Sequence, residues 1–539
     1  YMDLEFGTAG LRGIIGAGIN RMNIYVVRRA TQGLANYIIK QGAANKGVAI
    51  AYDSRHMSPE FAMEAAMTLA ANGIKAYKFE SLRPTPELSF AVRELGCVAG
   101  INITASHNPP EYNGYKVYWE DGAQFTPPHD KGVTEEVLAI EDLSTVKTTD
   151  EASATAAGLY QVIGQEIDDK YIAQVKAQVV NQKAIDEMQD QIRIVYTPLH
   201  GTGNIPARRV MKEIGFTHVY VVPEQELPDG NFPTVSYPNP EAKEAFELGL
   251  KLAKEKDADL VLATDPDADR LGVYVKDAKS GEYIPLTGNM SGSLLCEYVL
   301  SQKQAEGKIP ADGQVVKSIV STNLIDAVAK AYGAELIEVL TGFKWIGKQI
   351  LKNETTGTGT YLFGMEESYG CLIGTYARDK DAISATAALC EAAAYYKQKG
   401  MTLWDAMVAM YEKYGYYKDS VKSIGLSGIE GLAKIQSIME TLRNNTPAEV
   451  GGYKVVSARD YKLDTIRDME TGAVKPTGLP ASNVLYYDLE DGAWICVRPS
   501  GTEPKIKFYF GVKGTSLEDA DQKEADLGAA VMAMVDKMM

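Results

Sequence analysis

The chain is poor in several features that mark large classes of protein. Of its 539 residues only five are cysteine, Cys97, Cys296, Cys371, Cys390 and Cys496, and no two are spaced as CxxC. Neither a disulfide framework nor a cysteine-built zinc site is expected. Most of the thiols stand in apolar surroundings and read as reduced core residues of a cytoplasmic protein. Basic charge is also short: 55 lysines and arginines face 71 acids, for a net charge of −16. A nucleic-acid surface needs the opposite balance, so nucleic acid is excluded as the main partner. A small anion is not excluded, because it needs only a local basic pocket. No apolar run approaches the ~20 residues of a membrane helix, so no membrane partner is expected. The opening Tyr1-Met-Asp-Leu-Glu-Phe6 does not read as a signal peptide, and a leader ahead of Tyr1 would lie outside this sequence.

What is present is the composition of a globular protein, 45% apolar and 23% charged, in a chain too long for one core. A strand–helix–glycine–strand unit recurs three times. It runs through Val48–Tyr52, Pro59–Asn72 and Gly73. It returns through Ile192–Tyr196, Pro206–Ile214, Gly215 and Val219–Val222, and again through Val316–Val320, Leu324–Tyr332, Gly333 and Leu336–Leu340. Each glycine stops a helix and turns the chain into the next strand, and a right-handed crossover follows. Three related α/β domains are expected, over residues 1–160, 161–287 and 288–413. Residues 414–539 alternate strands with polar spacing and close on an amphipathic helix, Leu517–Val535, which reads as a smaller α+β domain.

Four polar clusters interrupt this scaffold. The apolar run Cys97–Ile103 predicts a buried strand, and Thr104-Ala-Ser-His-Asn-Pro109 follows it. Ser106 and His107 should emerge at the strand's carboxyl end, where ligands gather on open α/β sheets. The plain alternative is a turn in which Ser106 and Asn108 bond their own backbone. Leu260–Thr264 leads likewise into Asp265-Pro-Asp-Ala-Asp-Arg270. Carboxylates at i, i+2 and i+4 share a side if the backbone is extended, which Pro266 favours. Three converging carboxylates repel, so Asp265, Asp267 and Asp269 suit one hard divalent cation, Mg²⁺, better than a merely solvated loop. The spacing does not continue as an EF-hand.

Arg498-Pro-Ser-Gly-Thr-Glu-Pro-Lys505 lies between apolar strands. Arg498, Ser500, Gly501, Thr502 and Lys505 make a phosphate nest, against the alternative of a polar hairpin loop. Gly364-Met-Glu-Glu-Ser-Tyr-Gly370 offers Glu366 and Ser368 to vicinal sugar hydroxyls, with Thr341, Gly342 and Lys344 as a second wall and Lys380 close by. The glycine-rich Phe6–Gly13 lacks a Walker lysine, so nucleotide binding is unsupported, but it brings Arg12 towards an anion. Lys116 follows Ser106 by ten residues.

These clusters, in this order and over essentially the whole chain, resemble the α-D-phosphohexomutase superfamily. The Asp-Pro-Asp-Ala-Asp-Arg form and Thr197-Pro-Leu-His-Gly-Thr-Gly203 look most like its branch of bacterial phosphoglucomutases and phosphopentomutase-type relatives. Other branches carry Asp-Gly-Asp-Gly-Asp-Arg, and Ala9 stands where the first loop usually has serine. The resemblance implies four domains around a central cleft, the last resembling the TATA-binding-protein fold. It implies phosphorylation of Ser106, with Mg²⁺ held by Asp265, Asp267, Asp269 and the phosphoserine. Glu366 and Ser368 would grip the sugar. Arg498, Ser500, Gly501 and Thr502 would clamp the phosphate that stays, and Arg12, His107, Lys116, Arg270 and Lys380 would stabilise charge or move protons. The implied reaction is interconversion of glucose 1-phosphate and glucose 6-phosphate, with glucose 1,6-bisphosphate as intermediate and activator, in a monomer or weak homodimer. Mannose and pentose phosphates are the alternatives within the superfamily. A metal phosphatase using the aspartate loop would release inorganic phosphate, and one of the haloacid-dehalogenase type, with an aspartate nucleophile, would leave the serine loop without purpose; a non-catalytic phosphosugar-binding protein would not need all these positions intact.

Overall fold

Strands in the first three domains are bounded by the turns and glycines that break the apolar runs. The computed structural model of the chain describes residues 4, 6, 10–426, 428–500 and 505–539. It divides into two compact units. One comprises residues 1–317, 332–337 and 342–406; the other comprises 318–331, 338–341 and 407–539.

In the first unit, six strands form a sheet in the order Leu11–Ile14, Tyr112–Trp119, Ala99–Ile103, Val48–Tyr52, Ala76–Phe79, Tyr160–Ile163. The two central apolar strands, Val48–Tyr52 and Ala99–Ile103, are buried along their whole length and run parallel. Such continuous apolar runs belong in a sheet covered on both faces. The second sheet has five strands: Tyr283–Leu286, Leu271–Lys276, Leu260–Thr264, Arg193–Thr197 and His218–Val221. Its centre, Leu260–Thr264, is again buried throughout and parallel to Arg193–Thr197. In the third, Gly313–Ser318 runs parallel to Thr360–Glu366, which turns back antiparallel through Gly370–Leu372.

The expected repeat is present. Its helices are Ser58–Ala71, Asn204–Ile214 and Leu324–Ala331, and each is followed by a glycine of positive φ: Gly73 (75°), Gly215 (127°) and Gly333 (69°). One strand is shifted: the third unit begins at Gly313–Ser318 rather than Val316–Val320. Its partner Thr360–Glu366 supplies ladder bonds only as far as Lys317, so the apolar residues beyond it turn instead.

The second unit carries an eight-stranded sheet whose pairings are all antiparallel among the described residues. The amphipathic pattern of the last helix, Leu517–Asp536, buries Leu527, Val531 and Val535, one turn apart, in a core with Phe508 and Phe510. Periodicity of four on a helix meeting periodicity of two on a strand makes this an α+β layer. All five cysteines are buried, and none is in a disulfide. No helix among the described residues is long and apolar enough to cross a membrane.

Candidate active site

Ser106 stands where its sequence context places it, three residues beyond the strand Ala99–Ile103. It is 3% exposed and left-handed, with φ of 51°. That conformation is sparsely populated for a non-glycine residue and needs support from its surroundings. The strand Tyr112–Trp119 supplies some of it. Its Gly114 lies so close that a Cβ would stand 2.5 Å from the Thr104 carbonyl oxygen and 2.8 Å from that of Leu11. The Ser106 N–H donates to Thr104 Oγ1 at 2.8 Å, and the Ser106 hydroxyl donates to Asp265 Oδ2 at 2.7 Å. His107 Nδ1 is 3.3 Å from the same hydroxyl. Burial, then Arg270 and Arg12, hold the His107 ring well below its ordinary titration range, so it is a neutral imidazole near neutral pH.

Asp265, Asp267 and Asp269 are all buried, and one carboxylate oxygen from each lies within 4.8 Å of the others. The route to this convergence differs from the extended backbone expected. Residues 265–268 form a tight turn, closed by a 2.9 Å bond from the Ala268 N–H to the Asp265 carbonyl, with Ala268 at φ 51°. The Asp269 and Arg270 N–H groups then donate back to Asp265 Oδ1 at 3.2 and 3.0 Å. Backbone donors satisfy one carboxylate and wind the other two around it. The loop Thr197–Gly203 buttresses the turn: Thr202 N–H donates to the Pro266 carbonyl at 2.8 Å, and a Cβ on Gly201 would meet Pro266 Cα at 2.5 Å.

The electrostatics suit a divalent cation. Burial, then repulsion from Asp267 and Asp269, pushes the Asp265 carboxyl well above its ordinary value. Burial also opposes ionisation of Asp267, but Lys116 and Thr85 outweigh it and hold that carboxylate ionised. Asp267 Oδ1 and Asp269 Oδ1 are buried without a hydrogen-bond partner. Unpaired buried carboxylate oxygens are costly, and an oxygen-seeking cation such as Mg²⁺ is the partner their chemistry fits.

Two lysines border the acids. Lys116 Nζ is 2.7 Å from Asp267 Oδ2 and 3.7 Å from Asp269 Oδ2, and Lys380 Nζ is 3.2 Å from both Asp269 Oδ2 and Asp379 Oδ1. Burial works against their charge, but the facing carboxylates raise both ammonium groups above their ordinary value. They are permanent cations. Arg12 donates to Asn108 Oδ1 at 3.0 Å, and Arg270 to Glu241 Oε1 at 2.9 Å.

Glu366 ends the strand Thr360–Glu366, and its Oε1 accepts the Gly342 N–H at 2.6 Å. Burial raises its carboxyl to about 7 from an ordinary 4.5, against the opposing pull of Lys380. Between these values the folded chain holds a proton that the unfolded chain has released. Stability contributed at this position therefore falls as pH rises through that window and is flat on either side. Glu366→Gln keeps an acceptor for Gly342. It should match the wild-type stability below pH 4.5 and exceed it by about 3 kcal/mol above pH 7, measured by denaturant titration. A pH-independent difference between the two proteins would rule the assignment out.

Ser368 is half-buried in the turn after Glu366. Thr341 Oγ1 is buried without a partner. Arg498 is the penultimate residue of the strand Trp494–Pro499, and the Ser500 N–H donates to the Lys505 carbonyl at 2.8 Å. Gly501 and Thr502 lie outside the described residues, as do Gly7, Thr8 and Ala9. Lys344 is not brought to the acids. It heads the helix Lys344–Thr356 and lines a separate cavity of about 600 Å³ with Trp119, His129 and Lys348. Trp119 pairs with Ala99, the first residue of the strand that leads to Ser106. The cavity therefore reaches the opposite end of that sheet.

Several neighbours of the site were missed in the sequence. Thr85 Oγ1 donates to Asp267 Oδ2 at 2.7 Å and accepts from Asn102 Nδ2 at 2.7 Å, and its N–H reaches the Asp267 carbonyl at 2.9 Å. Asp53 and Arg55 lie just past the strand Val48–Tyr52. The available signals were a threonine between two prolines and an acid–base pair at the carboxyl end of a buried strand.

Tandem α/β sheets with a serine hydroxyl held against a buried tri-aspartate turn define a class of phosphoryl-transfer protein. Comparison with known proteins specifies it. Models of the phosphoglucomutase/phosphomannomutase family match in series: alpha/beta/alpha domain I over residues 3–144, domain II over 169–281, domain III over 287–414 and the C-terminal domain over 440–526. The chain belongs to this family, part of the α-D-phosphohexomutase superfamily, whose members are sugar-phosphate mutases. It is 36% identical over 520 residues to a phosphoglucomutase of Staphylococcus saprophyticus, covering 96% of this chain and 92% of that one. It is 37% identical over 525 residues to that of Staphylococcus epidermidis, covering 97% and 93%. Among solved structures, a putative phosphomannomutase from Thermus thermophilus shares the fold with a TM-score of 0.72 at 20% identity, covering 99% of each chain. Paramecium parafusin, a phosphoglucomutase in its open form, does so at 0.71 and 18% identity, over 100% and 95%.

Proposed function

We propose that the chain is a phosphoglucomutase, interconverting glucose 1-phosphate and glucose 6-phosphate through phosphorylated Ser106. The observation that carries this reading is the 2.7 Å contact of the Ser106 hydroxyl with Asp265, inside a cluster of three buried carboxylates. The choice of glucose rests on the full-length relatives named above.

In the forward direction, the 6-hydroxyl oxygen of glucose 1-phosphate bonds the phosphorus of phospho-Ser106. The bond from phosphorus to Ser106 Oγ breaks, the hydroxyl proton passes to the protein, and Ser106 Oγ is left to regain one. Glucose 1,6-bisphosphate results. After it turns over, Ser106 Oγ bonds the phosphorus at position 1, the bond from that phosphorus to the sugar O1 breaks, the serine proton passes through the protein to O1, and glucose 6-phosphate leaves with phospho-Ser106 restored. The same bisphosphate primes unphosphorylated protein, hence its role as activator. Asp265, Asp267 and Asp269, with a phosphoserine oxygen, would hold one Mg²⁺, which supplies positive charge to the transferring oxygens.

The chain's own residues do the rest. Lys116 and Lys380 are fixed cations beside the transfer point, suited to a reaction governed by positioning and charge. Neutral His107 stands within reach of the Ser106 oxygen to take or return its proton. Arg12 and Arg270 add charge at the rim. Glu366 and Ser368 receive sugar hydroxyls, with Thr341 and Gly342 behind them. Arg498, Ser500, Gly501, Thr502 and Lys505 bind the phosphate that is not transferred, and general anion contacts let them accept it from either end of the sugar.

Side-by-side kinetics with the 1-phosphates of glucose, mannose and ribose, with Mg²⁺ and a bisphosphate primer, test the reading. Glucose should lead in kcat/KM by at least about tenfold, a difference of roughly 1.4 kcal/mol in transition-state binding. A lead for mannose or ribose replaces glucose with that sugar. Release of inorganic phosphate in place of isomerisation rejects the mutase.

A further inference from the structure

Arg55 makes four hydrogen bonds to backbone carbonyls, yet none of the roles above uses it. It is 1% exposed. One nitrogen, Nη2, donates to the Ser106 carbonyl at 2.5 Å and to the Asn108 carbonyl; the other, Nη1, donates to the carbonyls of Pro109 at 2.8 Å and Tyr112 at 3.1 Å. A single guanidinium thus gathers three carbonyls of the serine loop and that of Tyr112, the first residue of the next strand. Its charge is balanced by Asp53, 3.4 Å from Nε. Asp53 in turn accepts from Ser58 Oγ at 2.8 Å, from the Arg55 N–H at 2.9 Å and from Thr104 Oγ1 at 2.6 Å. Thr104 Oγ1 accepts the Ser106 N–H. Both backbone groups of Ser106 therefore end on one network: the carbonyl directly, the N–H through Thr104.

That network answers the strain at Ser106. A left-handed serine costs about 1–3 kcal/mol and persists only where its surroundings over-determine it. Lysine would not serve, because its ammonium is a point charge, whereas the planar guanidinium presents five donors in fixed directions. The guanidinium also lies 5.1 Å from the centre of the buried Phe232 ring. Beside it, His56 Nε2 and Asn231 Oδ1 are 2.8 Å apart, and a Cβ on Gly230 would stand 2.7 Å from the His56 backbone nitrogen. Residues 230–232 belong to the domain that carries the tri-aspartate turn. The segment that holds the serine loop is thus registered directly on the domain holding the acids.

We infer that Arg55 is a positioning residue that fixes the Ser106 oxygen against the acid cluster. It touches neither substrate nor metal. This rests on the reading of Ser106 as the phosphoryl carrier. Displacing a reacting group by about 1 Å costs on the order of 10²-fold in rate.

The test is Arg55→Lys in the full chain with Mg²⁺, compared with Ser106→Ala. Rates are normalised to the phosphorylated serine found by mass spectrometry. Arg55→Lys should lower kcat per phosphoserine about 100-fold and leave KM within about threefold, since only the transition-state geometry is lost. The fraction of phosphoserine lost to water rather than to sugar should rise. A purely structural arginine would lower thermal stability and yield, but each surviving phosphoserine would turn over at the wild-type kcat, and that result overturns the inference. If Ser106→Ala remains active, the carrier reading itself falls. If Ser106→Ala is dead and Arg55→Lys has full kcat per phosphoserine, only the role of Arg55 falls. Should Arg55→Lys not fold, Phe232→Leu spares every hydrogen bond of the guanidinium and removes its ring support. Its kcat should drop about tenfold at unchanged KM, and an unchanged kcat rejects the inference.

Discussion

Ser106→Ala is expected to lose both the covalent phosphate and at least about 10⁴-fold in kcat, the scale on which removing a covalent carrier acts. The fold should survive. The lost hydroxyl makes one donor bond to Asp265, and a bond to a charged acceptor contributes about 1.5–3 kcal/mol. The left-handed backbone is held by Thr104 and Arg55 through main-chain groups that alanine retains. Incubation with glucose 1,6-bisphosphate followed by intact-mass measurement should show one added phosphoryl group on the wild type and none on the variant. Calorimetric binding of glucose 1-phosphate should persist within about tenfold, since the proposed function assigns the sugar and its phosphate to other residues. A variant that isomerises at even a tenth of the wild-type rate would mean that the phosphoryl group travels by another route.

Asp269→Asn should act almost as strongly on turnover, and in opposite directions on stability with and without metal. Its carboxylate has one buried oxygen without a hydrogen-bond partner, 4.0 Å from Arg270 Nε, and another that Lys380 and Lys116 approach to 3.2 and 3.7 Å. Without a cation, three buried acids repel. Replacing one charge by an amide relieves that repulsion, while Lys380 keeps Asp379 and Lys116 keeps Asp267. The variant should therefore melt at or above the wild type in chelator. With Mg²⁺ the order should reverse. A ligand at 100 times its dissociation constant stabilises by about 2.7 kcal/mol, and the weakened site forgoes most of this. Metal affinity should fall on the order of 10²-fold or more, and kcat by a similar factor or greater. Melting curves in chelator and in millimolar Mg²⁺ give the comparison. Equal Mg²⁺-induced shifts in both proteins would remove the acids from the metal site.

Some of this molecule was legible from local pattern. The buried strands Ala99–Ile103 and Leu260–Thr264 read as apolar runs because both faces of those sheets are covered. Ser106 and Asp265 follow from where the runs stop. Glycine after each repeat helix was legible because only a residue without Cβ takes that backbone at little cost. The geometry at the acids was not. Extended spacing accounts for three carboxylates on one side, yet the chain brings them together by a turn through left-handed Ala268, closed on Asp265 by backbone N–H groups. Lys344 heads the helix Lys344–Thr356, and sequence spacing alone does not say which way the first turn of a helix points its side chains.

Thr85 and Arg55 were beyond local reading altogether. Their partners lie 182 positions away, at Asp267, and 51 positions away, at Ser106. By itself the sequence determined which segments are strands, which side chains end them, and the sign of the charge gathered there, because periodicity and residue chemistry act over a few residues. Tertiary structure alone decided that the serine of one domain meets the acids of the next, and that a buried guanidinium and a threonine hold them in register. Those contacts depend on sheet order and domain packing, whose energies are summed over the whole core and leave no local mark.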